Sequence, residues 1–211
     1  MREYMTEVQE RSGISDEEIL AELNEEARKR SALNWGWVQG ILSVLDRKVP
    51  GASAASVALF TNDVYQYLTK PAIRQTLNDG LRAAFQSNIE TVVVGHSLGT
   101  VVAYDVLKSE PAGTGLSVPL FVTLGSPLSV KVIKKQLRPI GHPGCTAKWF
   151  NAMDDRDVVS LFPLDPKNFN IDPAIENKTD VDNPTSNRHG ISGYLGDPVV
   201  ARRIYDALTD Q

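Results

Sequence analysis

Residues 89–107 read IETVVVGHSLGTVVAYDVL, and the fold turns on this stretch. Ile89 to Val94 is β-branched and apolar on both faces, the composition of a parallel strand with helices on either side. Gly99 to Leu107 is apolar at helical spacing. Between them lies Gly95-x-Ser97-x-Gly99, and a strand-to-helix context separates a meaningful G-x-S-x-G from a chance one. Such a turn holds Ser97 Oγ above the sheet. Glycines at 95 and 99 are expected to remove β-carbons that would collide where strand and helix meet. The helix then aims free N–H groups and its positive dipole end at the place where an anion forms when a hydroxyl attacks a carbonyl. Ser97 is thus the candidate nucleophile, and the Leu98 N–H a candidate oxyanion donor.

Towards the C-terminus, Val118–Leu124 (VPLFVTL) and Thr146–Ala152 (TAKWFNA) read as two further strands. Residues 163–188, rich in Asn, Asp and Pro, offer little for a core. A loop of that length within a compact domain usually carries a site or is disordered. Pro198 to Leu208 places Val199, Val200, Ile204, Tyr205 and Leu208 on one helical face. The β-α-β-β-α order predicts an α/β fold with a parallel sheet flanked by helices.

Towards the N-terminus the first 88 residues read as helical. Ser15 and Glu18 make a capping box. Ile19, Leu20, Leu23 and Ala27 follow as an apolar stripe, with Glu22, Glu25, Glu26, Arg28 and Lys29 left for solvent. A second stripe runs through Trp37, Val38, Ile41, Leu42 and Leu45, with Trp35 and Trp37 as packing anchors. Val64, Tyr67, Leu68, Ile73, Leu77, Leu81 and Phe85 suit helices interrupted at Pro71. Residues 56–60 (SVALF) suit helix or strand equally.

Composition bounds the partners. The 211 residues, 42% hydrophobic and 23% charged, suit one globular domain over 1–211 with a single core. With 22 Lys+Arg against 26 Asp+Glu the chain has no basic excess for a phosphate backbone, so no nucleic acid partner is expected. Cys145 is the only cysteine, which excludes an internal disulfide. The N-terminus is charged where a signal peptide would be apolar, and no apolar run approaches the ~20 residues that span a bilayer. A cytoplasmic chain without a transmembrane segment is the expectation.

A serine hydroxyl needs a base, and the chain has three histidines. His96 adjoins Ser97 on a sharp turn, where neighbouring side chains diverge, so local packing suits it better. His142, in the turn IGHPG, reads as a solvent-exposed loop residue. His189, in NRHG between the long polar loop and the last helix, can lean over the elbow and is the candidate base. A carboxylate must then fix its tautomer, and the loop after the third strand offers Asp154, Asp155 and Asp157. Asp157 precedes Val158-Val159 and the apolar Leu161-Phe162, so it can be held rigidly. Asp154, nearer the strand end, is the alternative, and Asp155 and Arg156 look solvated. Three separated histidines and one cysteine show no metal-ligand spacing, and neither a P-loop nor G-x-G-x-x-G follows any strand; no metal or cofactor is expected.

GHSLGTVVAYDVL, TLGSPL, WFNAMDDRDVV and RHGISGYL together resemble the second half of a lipase/esterase-type α/β-hydrolase, over residues 89–208, a little over half the chain. The resemblance implies that Ser97 is the nucleophile, Asp157 the acid and His189 the base. It further implies hydrolysis of carboxylic esters of short or medium acyl chains through an acyl-enzyme, without cofactor or metal. TLGSPL would pack beside the elbow. A full member of that family has a sheet of about eight strands and an upstream HG loop that donates a second oxyanion N–H. The first 88 residues hold no HG dipeptide and at best the strand candidate at 56–60. The reading is therefore an incomplete α/β-hydrolase-like sheet, from a shortened natural form or a truncated reading frame. A helical, lid-like region at 1–88 would cover a catalytic core at 89–211. An incomplete sheet exposes an edge at the Ile89–Val94 strand or its neighbour, which predicts a homo-oligomer unless the N-terminal helices fold over it. The competing expectation is a non-catalytic α/β module that serves in binding or oligomerisation.

Overall fold

A computed structural model describes residues 2–23, 35–48, 54–86, 89–110 and 115–209. The helices α1 (Arg2–Arg11), α2 (Asp16–Glu22), α3 (Trp35–Lys48), α4 (Ala54–Thr69) and α5 (Pro71–Ala84) come first. There follow β1 (Val93–His96), α6 (Leu98–Ser109), β2 (Val118–Leu124), α7 (Lys131–Gln136), β3 (Thr146–Ala152), β4 (Glu176–Lys178), α8 (Ile191–Leu195) and α9 (Pro198–Thr209). The four strands form one all-parallel sheet in the order β1-β2-β3-β4, so the architecture is mixed α/β. Among the described residues, no helix is long and apolar enough to cross a membrane.

The two-residue period of β2 sorts its side chains between two apolar clusters. Phe121, with Val93 of β1 and Trp149 of β3, joins a large core that includes Tyr4, Ile41, Tyr67, Tyr104 and Ile133 from α1, α3, α4, α6 and α7. Leu120, Val122 and Leu124, with Phe150 and Ala152 of β3, face a smaller cluster completed by Val181, Tyr194 and Val200. Parallel strands align their carboxyl ends, and the loops leaving those ends carry Ser97, Gly125 and Asp157 to one edge of the sheet. In open α/β sheets that edge is where ligands bind.

Several sequence expectations change here. The strand expected over 89–94 runs instead over Val93–His96, with an isolated bridge from Glu90 to Ser117. β1 lies at the end of the strand order, and Val94 on it is exposed, so its α9-side face is not covered by helix along its whole length. Residues 56–60 fall within α4, where Val57 and Phe60 pack into the core. The 163–188 segment contributes more than expected: β4 pairs with β3, and Leu164, Phe169, Ile175 and Val181 are buried. On α9, Val200 is buried while Val199, Tyr205 and Leu208 are exposed. Ala27 and the charged residues 25–29 fall outside the described residues; Trp37 packs against the core as an anchor.

Helix α5 is rotated relative to its apolar stripe. Ile73 and Leu77 are exposed, whereas Asn78 is buried and Arg74 half-buried. Asp105 of α6 explains the rotation: its carboxylate accepts from Arg74 Nε at 2.8 Å and Nη2 at 2.5 Å, from Asn78 Nδ2 at 3.0 Å and from Tyr67 Oη at 2.9 Å. A buried carboxylate needs its lone pairs satisfied, and that requirement outweighs the burial of two aliphatic side chains. Burial alone would raise the Asp105 pKa, but Arg74, Asn78 and Tyr67 hold it below the usual carboxylate range. Asp105→Ala is therefore expected to destabilise the fold by about 3 kcal/mol in urea titrations. That is the low end for breaking a buried pair, because the Arg74 side chain is 33% exposed. A depressed folded pKa gives stability that is complete above the unfolded value of ~3.9 and lost as pH falls through the folded one. The gap between parent and variant should thus be full at pH 7 and shrink below about pH 4.

Candidate active site

At the end of β1 the chain turns into α6 through Ser97, whose φ of 55° and ψ of −127° place a non-glycine residue in a sparsely populated region. Such strain persists only where the surroundings enforce it. Here Ser97 N–H donates to Leu124 O at 3.1 Å, and Ser97 O accepts from Thr100 N at 3.0 Å and Thr100 Oγ1 at 2.7 Å. Gly95 is required by space, since a β-carbon there would meet Thr100 Cα at 3.0 Å and Gly99 O at 3.1 Å. Gly99 departs from expectation: a β-carbon on it would meet nothing within 4 Å, so strand–helix packing does not require glycine there. Leu98 is the first residue of α6, and its N–H has no intrahelical carbonyl to bond.

His189 Nε2 lies 2.8 Å from Ser97 Oγ, and its Nδ1 lies 2.7 Å from Asp157 Oδ2. The structure thus brings Ser97, His189 and Asp157 into one hydrogen-bonded row. The carboxylate is buried, and its Oδ1 accepts from Val159 N at 2.8 Å. With Asp157 ionised, Nδ1 carries the imidazole proton and Nε2 is left to accept from Ser97.

The two aspartates differ in their partners, and it is Asp157 that meets His189. Asp154 is fully buried but faces away from the histidine: it accepts from Arg156 N, Nε and Nη2 and from Asn183 N, with Arg188 at 3.8 Å. Burial would raise its pKa, but the Arg156 and Asn183 bonds hold it below the usual range. Through Asn183, whose Nδ2 donates to Gly190 O at 2.9 Å and whose Oδ1 accepts from Thr185 at 2.6 Å, Asp154 braces the loop that carries His189. Among its neighbours, Asp155 is largely solvated and the Arg156 side chain 45% exposed.

His96 packs locally, as its position suggested. Its ring stands 4.7 Å from that of His189, and its Nε2–H donates to His189 O at 2.6 Å. Burial, then the neighbouring His189, lower the His96 pKa, and they outweigh the bond to His189 O, which favours the charged ring. His142 is half-buried rather than exposed, edge-on to Trp149, and takes no part in the row.

Three further residues complete the site: Gly125 and Ser126, in the TLGSPL stretch expected beside the elbow but given no individual role, and Tyr194, which the sequence did not single out. Gly125, at φ 55°, ends β2 where a β-carbon would meet Tyr194, Asp157 and His189 at 3.0–3.1 Å, so both the backbone conformation and the close approach of the row favour glycine there. Ser126, next to it in TLGSPL, hydrogen-bonds Thr100 Oγ1 at 2.9 Å beneath the elbow. Tyr194, fully buried on α8, donates its hydroxyl to Asp157 Oδ2 at 2.6 Å, the same oxygen that faces His189. Burial and the Asp157 charge raise the Tyr194 pKa, so the phenol stays a donor. Tyr194→Phe leaves Asp157 with one donor fewer, so any turnover that runs through the row is expected to slow about tenfold with KM unchanged in steady-state assays. Among the described residues, no group of three or more His, Cys, Asp or Glu is placed to hold a metal ion. In comparisons with protein-family models, curated proteins and solved structures, nothing matches this chain.

Proposed function

We propose that this chain is a serine hydrolase of the α/β-hydrolase type that cleaves carboxylic esters of short or medium acyl chains. The observation that carries the reading is the Ser97–His189–Asp157 row, with contacts of 2.8 and 2.7 Å, mounted on a strained strand-to-helix turn at the carboxyl edge of a parallel sheet. Its order along the chain, Ser then Asp then His, is that of α/β-hydrolases.

In this reading Ser97 Oγ attacks the ester carbonyl while His189 Nε2 takes the hydroxyl proton. The negative charge on the carbonyl oxygen is held by the Leu98 N–H, reinforced by the start of α6. Collapse of the tetrahedral intermediate breaks the ester C–O bond, and His189 returns the proton to the departing alcohol. Water then attacks the Ser97 acyl ester with His189 as base, releasing the acid and restoring the hydroxyl. Asp157 stays ionised throughout, orienting the imidazole and stabilising its charged form.

The test is hydrolysis of p-nitrophenyl acetate and butyrate by the purified chain, together with labelling by a fluorophosphonate. Turnover and labelling are expected together. Labelling without turnover would leave a reactive serine but contradict the hydrolase assignment, and neither would favour a non-catalytic module.

A further inference from the structure

A cavity of about 610 Å³ lies between α1, α7 and the segment 161–168, and no residue of the Ser97–His189–Asp157 row lines it. Its wall carries four cationic side chains, Arg11, Lys131, Lys134 and Lys167, against the two carboxylates of Glu7 and Asp165. That excess runs against the chain's formal net charge of −4. None of the four cations forms an ion pair among the described residues. Arg11 donates from Nε to Leu161 O at 3.1 Å and from Nη2 to Asp155 O at 3.4 Å, and Lys134 Nζ donates to Asn168 O at 2.5 Å. Lys131 and Lys167 are exposed. Carbonyl partners hold a cation in place without cancelling its charge, so the wall keeps a positive field for an anion.

Glu7 sets a second requirement. It is only 4% exposed; its Oε1 accepts from Lys131 N at 2.9 Å, while Oε2 has no hydrogen-bond partner among the described residues. Burial raises the Glu7 pKa despite that bond and the nearby Lys131 and Lys134 charges. Buried polar atoms are normally satisfied, and one that is not points to a missing donor. Asp165 differs, because its Oδ1 already accepts from Asn168 N and Nδ2, both at 2.9 Å. The cavity thus asks for an anion and, beside Glu7, for a hydrogen-bond donor. Four cations suit the doubly charged, three-oxygen phosphate of a monoester better than a single carboxylate, and the volume is that of a small-molecule site.

We propose that this cavity binds a small soluble phosphate monoester with free hydroxyls, its phosphate held by Arg11, Lys131 and Lys167 and one hydroxyl donating to Glu7 Oε2. The site is separate from the Ser97 row, and it stands or falls independently of ester hydrolysis there.

The experiment is isothermal titration calorimetry of the whole chain with glycerol 3-phosphate and with propyl phosphate, which differ only in the hydroxyls. Saturable binding of glycerol 3-phosphate is expected, at least about tenfold tighter than that of propyl phosphate, because it alone brings Glu7 a donor. Lys131→Ala combined with Lys167→Ala should weaken both esters at least about tenfold at an unchanged melting temperature. Glu7→Met should abolish the preference between the esters while phosphate binding persists. Phosphatidic acid carries the same phosphate with both hydroxyls acylated, so vesicles of phosphatidylcholine and phosphatidic acid should leave the chain in the supernatant. No binding of glycerol 3-phosphate, or binding that the lysine variant leaves unmoved, overturns the site. Equal affinity of the parent for the two esters overturns the role of Glu7, a comparison that holds even where Glu7→Met fails to fold. Sedimentation with the vesicles overturns a soluble ligand in favour of a lipid surface.

Discussion

Ser97→Ala is expected to lower kcat for p-nitrophenyl butyrate by about 10⁵- to 10⁶-fold, the scale seen when a serine protease loses its nucleophile. Without Oγ no acyl-enzyme forms, and the remaining groups can only assist direct attack by water. The variant keeps its β-carbon, so the backbone at φ 55° is no more and no less strained than before. It loses the hydrogen bond to His189 Nε2 but creates no large cavity, so its melting temperature should stay close to the parent's. Loss of rate with stability retained separates a chemical role from a structural one. His189→Ala should cost nearly as much, and the double variant little more than either, because nucleophile and base act as a unit. Losses that instead multiply would mean that the two side chains work independently.

Asp157→Asn should cost about 10⁴-fold in kcat with KM little changed, and the reason is the tautomer. The Oδ2 position faces two donors, His189 Nδ1–H and the Tyr194 hydroxyl. An amide presenting its NH₂ there opposes both. His189 can answer only by moving its proton to Nε2, which then points an N–H at Ser97 and can no longer accept from it. An amide turned the other way sets its NH₂ against Val159 N–H, which Oδ1 now accepts. Neither orientation satisfies all three donors. Asp154→Asn leaves the Nδ1 partner in place, so a loss of the same size at 154 would contradict this account of the acid.

The expected strands at Val118–Leu124 and Thr146–Ala152 coincide with β2 and β3: VPLFVTL is apolar and buried along nearly its whole length, and TAKWFNA buries Trp149, Phe150 and Ala152 while Ala147 and Lys148 stay exposed. The row Ser97, His189, Asp157 was legible for a chemical reason: a nucleophile elbow demands a base and an acid, and a chain with three histidines offers few choices. What stayed hidden was set by tertiary partners. Glu176-Asn177-Lys178 has no apolar alternation; it is a strand because Asn177 also bonds Leu164 and Asn151 with its side chain. Ile73 and Leu77 advertised the wrong face of α5, since the carboxylate that turns the helix is 27 residues or more away in the chain. Tyr194 sits in a five-residue helix whose sequence, ISGYL, gives no sign that its hydroxyl reaches Asp157. Asp154 and Asp157 share one loop, and only the direction of each carboxylate tells them apart.

The most direct test of the central claim is the site of covalent labelling. The chain is treated with a fluorophosphonate, its mass is measured intact, and the modified peptide is sequenced, in parallel with His189→Ala. This account predicts a single adduct on Ser97 in the parent and a rate of labelling reduced at least about 10³-fold in the variant, since a serine without its base is a weak nucleophile. Adducts on other hydroxyls, or equal labelling with and without His189, would contradict it.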